Sequence, residues 1–250
     1  MNVFHFIDNR DSFIQELRGV VSQYSYESLS EILEPRIKTK QYGIGGKLMH
    51  RGPLCPNFME EYLLQNIHRG RLYRSAEHPD YEYFFDSEGI LVKVNKHTEI
   101  GVCSEYVFQK GNISYGINFT GDCHWKDGIY AVVFEEGYIS ATIYRSLSSP
   151  QGNANCAEEN DVWTIEYKNG VPYYVSFLSF RDESDDIYSV GYRLETDDED
   201  SIVRFFTTNR LYKDRYNPRK EHPFMLKHRI FPAVWRQSYR LMSTPTKIGS

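Results

Sequence analysis

Cys123 and His124 are the most reactive-looking neighbours in this chain, since a thiolate beside an imidazole is the raw material of nucleophilic catalysis. Adjacent residues of a strand, however, point to opposite faces, so a Cys-His relay is poorly served by sequence neighbours, and the pair also reads as a buried thiol next to a surface histidine. His222 and His228 stand in a stretch broken by Pro223, without a Cys or carboxylate partner at the spacing that structural zinc prefers. Carboxylates cluster at Asp182, Glu183, Asp185 and Asp186 and again at Asp197, Asp198, Glu199 and Asp200. Both sets fall in expected turns, where solvent keeps them ionised and no environment raises a pKa for general-acid work. Glu82 and Glu105 sit among aromatics on expected strands, but a solvent-facing strand glutamate has the same signature. Gly43, Gly45, Gly46 and Lys47 hint at a phosphate loop, yet the glycine spacing is wrong and Leu48 stands where a metal-binding Ser or Thr is required. The stretch reads as a turn. No reaction, cofactor or metal is indicated.

The elements that would position these residues change character along the chain. Ser12 and Gln15 have capping-box spacing, followed by Phe13, Ile14, Leu17, Val20 and Val21 on one helical face. Ser28 and Glu31 repeat that signal before Ile32 and Leu33, with Leu29 on the same face, and Pro35 ends the helix. A third start at Asn57 precedes Phe58, Tyr62, Leu63 and Ile67. From Tyr81 onward the period becomes two. Four segments place an aromatic residue before a glycine turn and a strand-forming run after it, with turns at Gly89, Gly111, Gly137 and Gly170. Asn169–Gly170 is the clearest, because a two-residue type I′ turn needs positive φ at both positions. A turn at Glu136–Gly137 pairs Phe134 with Ile139, Val132 with Ala141 and Tyr130 with Ile143, and a turn at Lys110–Gly111 pairs Phe108 with Ile113 and Tyr106 with Tyr115. A fifth hairpin joins residues 187–194 to residues 202–206 through the second acidic run.

The expected fold class is therefore α+β: one large antiparallel sheet, a meander of hairpins, with N-terminal helices packed on one face. A single domain over residues 1–250 is expected, with a mainly helical lead-in over 1–75, the sheet over 76–210 and a basic C-terminal segment over 211–250. Twenty Tyr and fifteen Phe suit such a sheet, and tyrosine hydroxyls also suit protein recognition. The net charge of −5 argues against a general nucleic-acid or anionic-membrane surface. Residues 1–11 are too short and too charged for a secretory segment, and no long apolar run appears, so a cytoplasmic chain with reduced Cys55, Cys103, Cys123 and Cys156 is expected.

The segment from Tyr83 through Phe85, Asp86, Gly89 and Leu91 to Val94 resembles the tyrosine-aspartate repeats of Rhs-type polymorphic toxins, whose units run aromatic, Asp, two polar residues, Gly, then Leu and a strand. The later hairpins keep the glycine and lose the aspartate, and no long array follows. With its helical lead-in and acidic charge, the chain is similar over roughly residues 80–206 to bacterial immunity proteins encoded beside such toxins. That resemblance implies a partner, the cognate toxin domain, and no catalytic residues. On this reading the two acidic runs attract a basic partner such as a nuclease, and Tyr173 and Tyr188 anchor it. Two further readings stay open: a hydrolase with dispersed residues, starting from Cys123 and His124, and a structural β-module of a larger assembly.

Overall fold

The computed structural model describes residues 9–44, 71–99, 101–121, 124–147, 158–182, 187–197, 202–208 and 222–230. Helix α1 spans Arg10–Gln23, α2 spans Tyr26–Leu33, and a 3-10 turn follows at Glu34–Arg36. Among the described residues thirteen strands come next: β1 Thr39–Ile44, β2 Arg71–Tyr73, β3 Tyr81–Phe85, β4 Leu91–Thr98, β5 Gly101–Lys110, β6 Ile113–Thr120, β7 Trp125–Glu135, β8 Tyr138–Ser146, β9 Glu159–Lys168, β10 Val171–Arg181, β11 Ile187–Thr196, β12 Ile202–Thr208 and β13 His222–Ile230.

All thirteen form one sheet in which β3 to β13 lie side by side in chain order, while β1 is inserted between β2 and β3. The α+β meander is thus the observed fold. The first residues differ from expectation in two places. Gly43 belongs to β1, paired with Leu72 and Tyr81, so the glycine-rich stretch begins inside a strand and not in a turn. Thr39–Ile44 and Arg71–Tyr73 are strands within the region expected to be mainly helical. The helix expected from Asn57 lies outside the described residues.

Helix α1 starts at Asn9 without a side-chain cap, which places Ser12 inside the first turn. In α2 the capping box is real but sits three residues earlier than its signal: Ser25 is the cap, its Oγ accepts from Ser28 N at 3.2 Å, and Ser28 Oγ accepts from Ser25 N at 2.8 Å. Pro35 falls in the 3-10 turn, where the α-helix has already ended. Ile14, Leu17 and Val20 of α1 and Leu29 and Leu33 of α2 bury against Tyr106, Phe108, Tyr115, Ile117, Phe119 and Ile129 of the sheet. Each such leucine contributes about 1.5–3 kcal/mol by leaving water. Polar contacts fix where the helices land. Tyr115 donates to Glu16 at 2.5 Å, while Tyr106 and Lys93 both donate to Glu34 Oε1, at 2.5 and 2.6 Å. Lys126 Nζ reaches the Val21 carbonyl at 2.5 Å.

The register corrects two expected hairpins. Phe134 does face Ile139, but a bulge between Val133 and Phe134 then shifts the pairing, giving Val133 with Ala141, Val132 with Thr142 and Tyr130 with Tyr144. Because one extra residue reverses the parity, Ala141 and Ile143 join the core under the helices, whereas Tyr130, Val132 and Ile139 face the other way. Between β5 and β6 the turn is Gly111–Asn112, so Phe108 pairs with Tyr115 and Tyr106 with Ile117. That is a shift of two positions, which keeps every side chain on its expected face.

The sheet is buried on both sides. Away from α1 and α2, Trp163, Ile165, Val175, Tyr192, Val132 and Ile139 form a second cluster on the later strands. Tyr81, Tyr83, Phe85, Leu91, Val94 and Val107 form a third on the earlier ones. Where β5 to β7 cross this face, Tyr130 lies over Gly116, so that a Cβ there would stand 1.9 Å from Tyr130 Cε1. Only glycine lets the ring close against the backbone.

Candidate functional site

In a meander, successive turns alternate between the two ends of the sheet, and this sorts the candidate residues. The turn after β10 begins at Asp182, and that after β11 begins at Asp197, so the two acidic runs start from opposite ends of a ten-residue strand. At about 3.3 Å per residue these ends are roughly 30 Å apart. Glu183, Asp185, Asp186, Asp198, Glu199 and Asp200 lie outside the described residues.

Asp182 is not a solvated turn carboxylate. Its side chain is 12% exposed, and its two oxygens accept from Arg145 Nη1 and Nη2, both at 2.6 Å, with Arg18 Nη2 at 2.7 Å. Arg145 is fully buried and also contacts Asn160 at 2.9 Å and Glu158. Burial pushes the Asp182 carboxyl upward, but hydrogen bonds from Arg145 and Asn160 and the charges of Arg145 and Arg18 outweigh it and hold the pKa below the usual value. The cluster ties α1 to β8, β9 and β10. Arg145 is absent from the sequence expectations although it carries a signal: Ala141, Ile143 and Arg145 share one strand face, and a charge at the third position of a core-facing run demands a partner.

The other nominated groups disperse. His124 adopts φ 51° and stacks flat on Tyr26, with ring centroids 3.5 Å apart, while Cys123 lies outside the described residues. Glu82 is held by Lys40 at 2.8 Å and Asn95 at 3.3 Å, and Glu105 is buried beside Gly116. His222 and His228 fall in β13. Among the described residues no group of three His, Cys, Asp or Glu side chains could hold a metal ion, and no helix is long and apolar enough to cross a membrane.

Tyr188 lies on the face away from α1 and α2, beside Phe177 of the second cluster. Tyr188, 64% exposed, is opposite Ser179 and meets Phe177 edge-on at 6.2 Å. Tyr173 is the extra residue of a bulge in β10, which swings it outward, and its hydroxyl donates to Glu166 Oε2 at 2.7 Å.

Tyr173 opens onto an open groove of about 990 Å³ at the sheet end that carries the turns after β5, β7 and β9. Phe134 and Ile165 lie among its apolar residues, Tyr138 and Tyr167 stand over it, and Glu135, Glu136 and Glu166 bring carboxylates. Three local features shape it. Glu136–Gly137 and Asn169–Gly170 both have positive φ at both positions, so each reverses the chain in two residues. Asn112 ties the neighbouring turn to β7, donating from Nδ2 to the Phe134 carbonyl at 2.9 Å. Tyr138 packs on Tyr167 with centroids 5.0 Å apart, and its hydroxyl leans over Gly170, where a Cβ would come within 3.1 Å. Burial and then the neighbouring Tyr138 raise the Tyr167 pKa, and its hydroxyl donates to the Ile139 carbonyl at 2.9 Å. Asp197, half-buried, begins a further turn at this same end. The groove can hold a polar or cationic group against aromatic faces. Its signal in the sequence is the recurrence of Glu and Tyr around the hairpin turns at Gly137 and Gly170, which becomes a site only when the turns are known to share one end.

No family model, no curated protein and no solved structure matches this chain.

Proposed function

We propose that this chain is a protein-binding immunity protein, which neutralises a cognate bacterial toxin domain in the cytoplasm by covering that domain's active site and has no turnover of its own. The observation that supports the reading is the groove at the sheet end that carries the turns after β5, β7 and β9, where Tyr138 and Tyr173 are exposed beside Glu135, Glu136 and Glu166. Tyrosine gives large contact area for little lost side-chain freedom, and surrounding carboxylates speed encounter with a basic partner. Asp197 begins a turn at the groove's end of the sheet, Tyr188 is exposed near the opposite end of β11, and Asp182 is committed to Arg145 and Arg18 and stays out of the contact.

The test is co-expression with the toxin domain encoded in the adjoining gene, scored as rescue of growth and as co-purification. Reversing the charge of Asp197, Asp198 and Asp200 together slows association and weakens its salt dependence, whereas Tyr173→Ala acts mainly on dissociation. Absence of rescue and of co-purification, together with a hydrolytic activity abolished by Cys123→Ala, would replace this reading with the enzyme one.

A further inference from the structure

Building on that binding reading, we propose that the groove receives an arginine side chain carried on a protruding loop of the protein partner. Three carboxylates line it, from Glu135, Glu136 and Glu166, and no Lys or Arg is among the described residues that do so. Lys110 and Lys168, the last residues of β5 and β9, do not line it. Glu135 and Glu136 are exposed, so an apolar ligand would take their carboxylates from water, and an anion would be repelled. A guanidinium answers both requirements at once, because it stacks on aromatic faces and forks two parallel hydrogen bonds to a carboxylate. The tyrosines supply the faces. Tyr138 and Tyr167 meet at 40°, forming a wedge, and the Tyr173 hydroxyl is fixed on Glu166, which sets its ring and that carboxylate relative to each other. A volume of about 990 Å³ is at the upper end of the roughly 300–1,000 Å³ of small-molecule pockets, so it fits a loop tip with its arginine and not a bare ion.

The probe is N-acetyl-arginine N-methylamide, titrated into the full chain at low salt and followed by the ring resonances of Tyr138, Tyr167 and Tyr173. Saturable shifts confined to these rings are expected, with binding about tenfold weaker for the citrulline analogue, which keeps the shape and lacks the charge. The Glu135→Gln/Glu136→Gln variant, altered only at the exposed end of β7 and in its turn, melts like the parent and binds the arginine probe about tenfold more weakly. Equal binding of the citrulline and arginine probes, or the absence of saturable shifts at these rings, overturns the proposal. The two levels fail separately. If the double glutamine variant rescues growth and associates with the toxin as fast and as tightly as the parent, the arginine site is lost and the immunity function stands. If the probe binds as described but the chain neither rescues nor co-purifies, the site stands and the immunity function is lost.

Discussion

Asp182→Asn separates a surface acid from a structural one, because the substitution keeps the shape and removes the charge. In the fold this carboxylate is 12% exposed and faces a guanidinium with no exposure at all, so the change leaves Arg145 with Glu158 and Asn160 only. Leaving a buried charge uncompensated costs about 3–5 kcal/mol. Glu158 remains and is 28% exposed, which brings the expectation down to about 2–3 kcal/mol. For a chain of this size that lowers the thermal midpoint by about 4–12 °C at neutral pH. The pH dependence adds a second readout. A carboxyl whose folded pKa lies below its unfolded value contributes stability that is complete above the unfolded value and disappears as the pH falls through the folded one. Parent and variant should therefore differ most at neutral pH and converge as the pH drops below the ordinary aspartate value of 3.8. Differential scanning calorimetry between neutral and acid pH measures both. Coincident midpoints at neutral pH would refute the ion cluster and restore Asp182 to the solvated turn that its neighbours in sequence suggest.

Ile139→Asp puts a charge among Tyr130, Val132 and Ile165 and should cost about 4 kcal/mol or prevent folding; an unchanged urea midpoint would contradict the parity set by the β7–β8 bulge. Gly116→Ala should cost about 1–3 kcal/mol by displacing Tyr130, and Tyr130→Leu in the same chain should recover part of it, which paired melts will show. Acidification should destabilise the whole protein. Burial acts upward on Glu34 and Glu82, but hydrogen bonds from Lys93 and Tyr106 in one case and Lys40 and Asn95 in the other prevail, so both fall below the usual 4.5 and their contribution is lost as they protonate. Asp161, raised by burial, opposes this with the reverse sign, and a midpoint that rises on going from neutral pH to pH about 3 would show that it dominates.

Hairpins are legible because their turns require particular backbone angles. Asn169–Gly170 and Gly137 announce positive φ in residue type, and alternation fixes faces on either side. What pattern alone does not fix is the residue at which a bulge enters. The extra residue in β8 satisfies an apolar parity on either face, since both faces of the sheet are buried, and the pairing of Val132 with Ala141 is therefore as plausible from pattern as its pairing with Thr142. β1 is hidden because Gly43 and its neighbours have turn-like composition, and its pairing with β3 is a matter of tertiary context. For the site, Tyr173 and Tyr188 are identifiable as exposed aromatics, but the groove joins residues from three hairpins and depends on a bulge for the direction of Tyr173. The acidic runs look equivalent in sequence; the arginines that distinguish Asp182 are 37 and 164 positions away.

The neighbour-to-neighbour order of β3 to β13 has a kinetic consequence. Each strand can zip onto the one just synthesised, closing only a short loop, so little chain entropy is lost before pairing begins. The helices face a different problem, since Glu16 meets Tyr115 across 99 positions and Arg18 meets Asp182 across 164. Docking of α1 must wait until β6 and β10 exist and are registered. Refolding followed by pulsed hydrogen exchange should accordingly protect amides of β5 to β10 before those of α1, and α1 should be the first element to open from the native state. Earlier protection of α1 would mean that the helix organises the sheet and that the hairpins assemble on it.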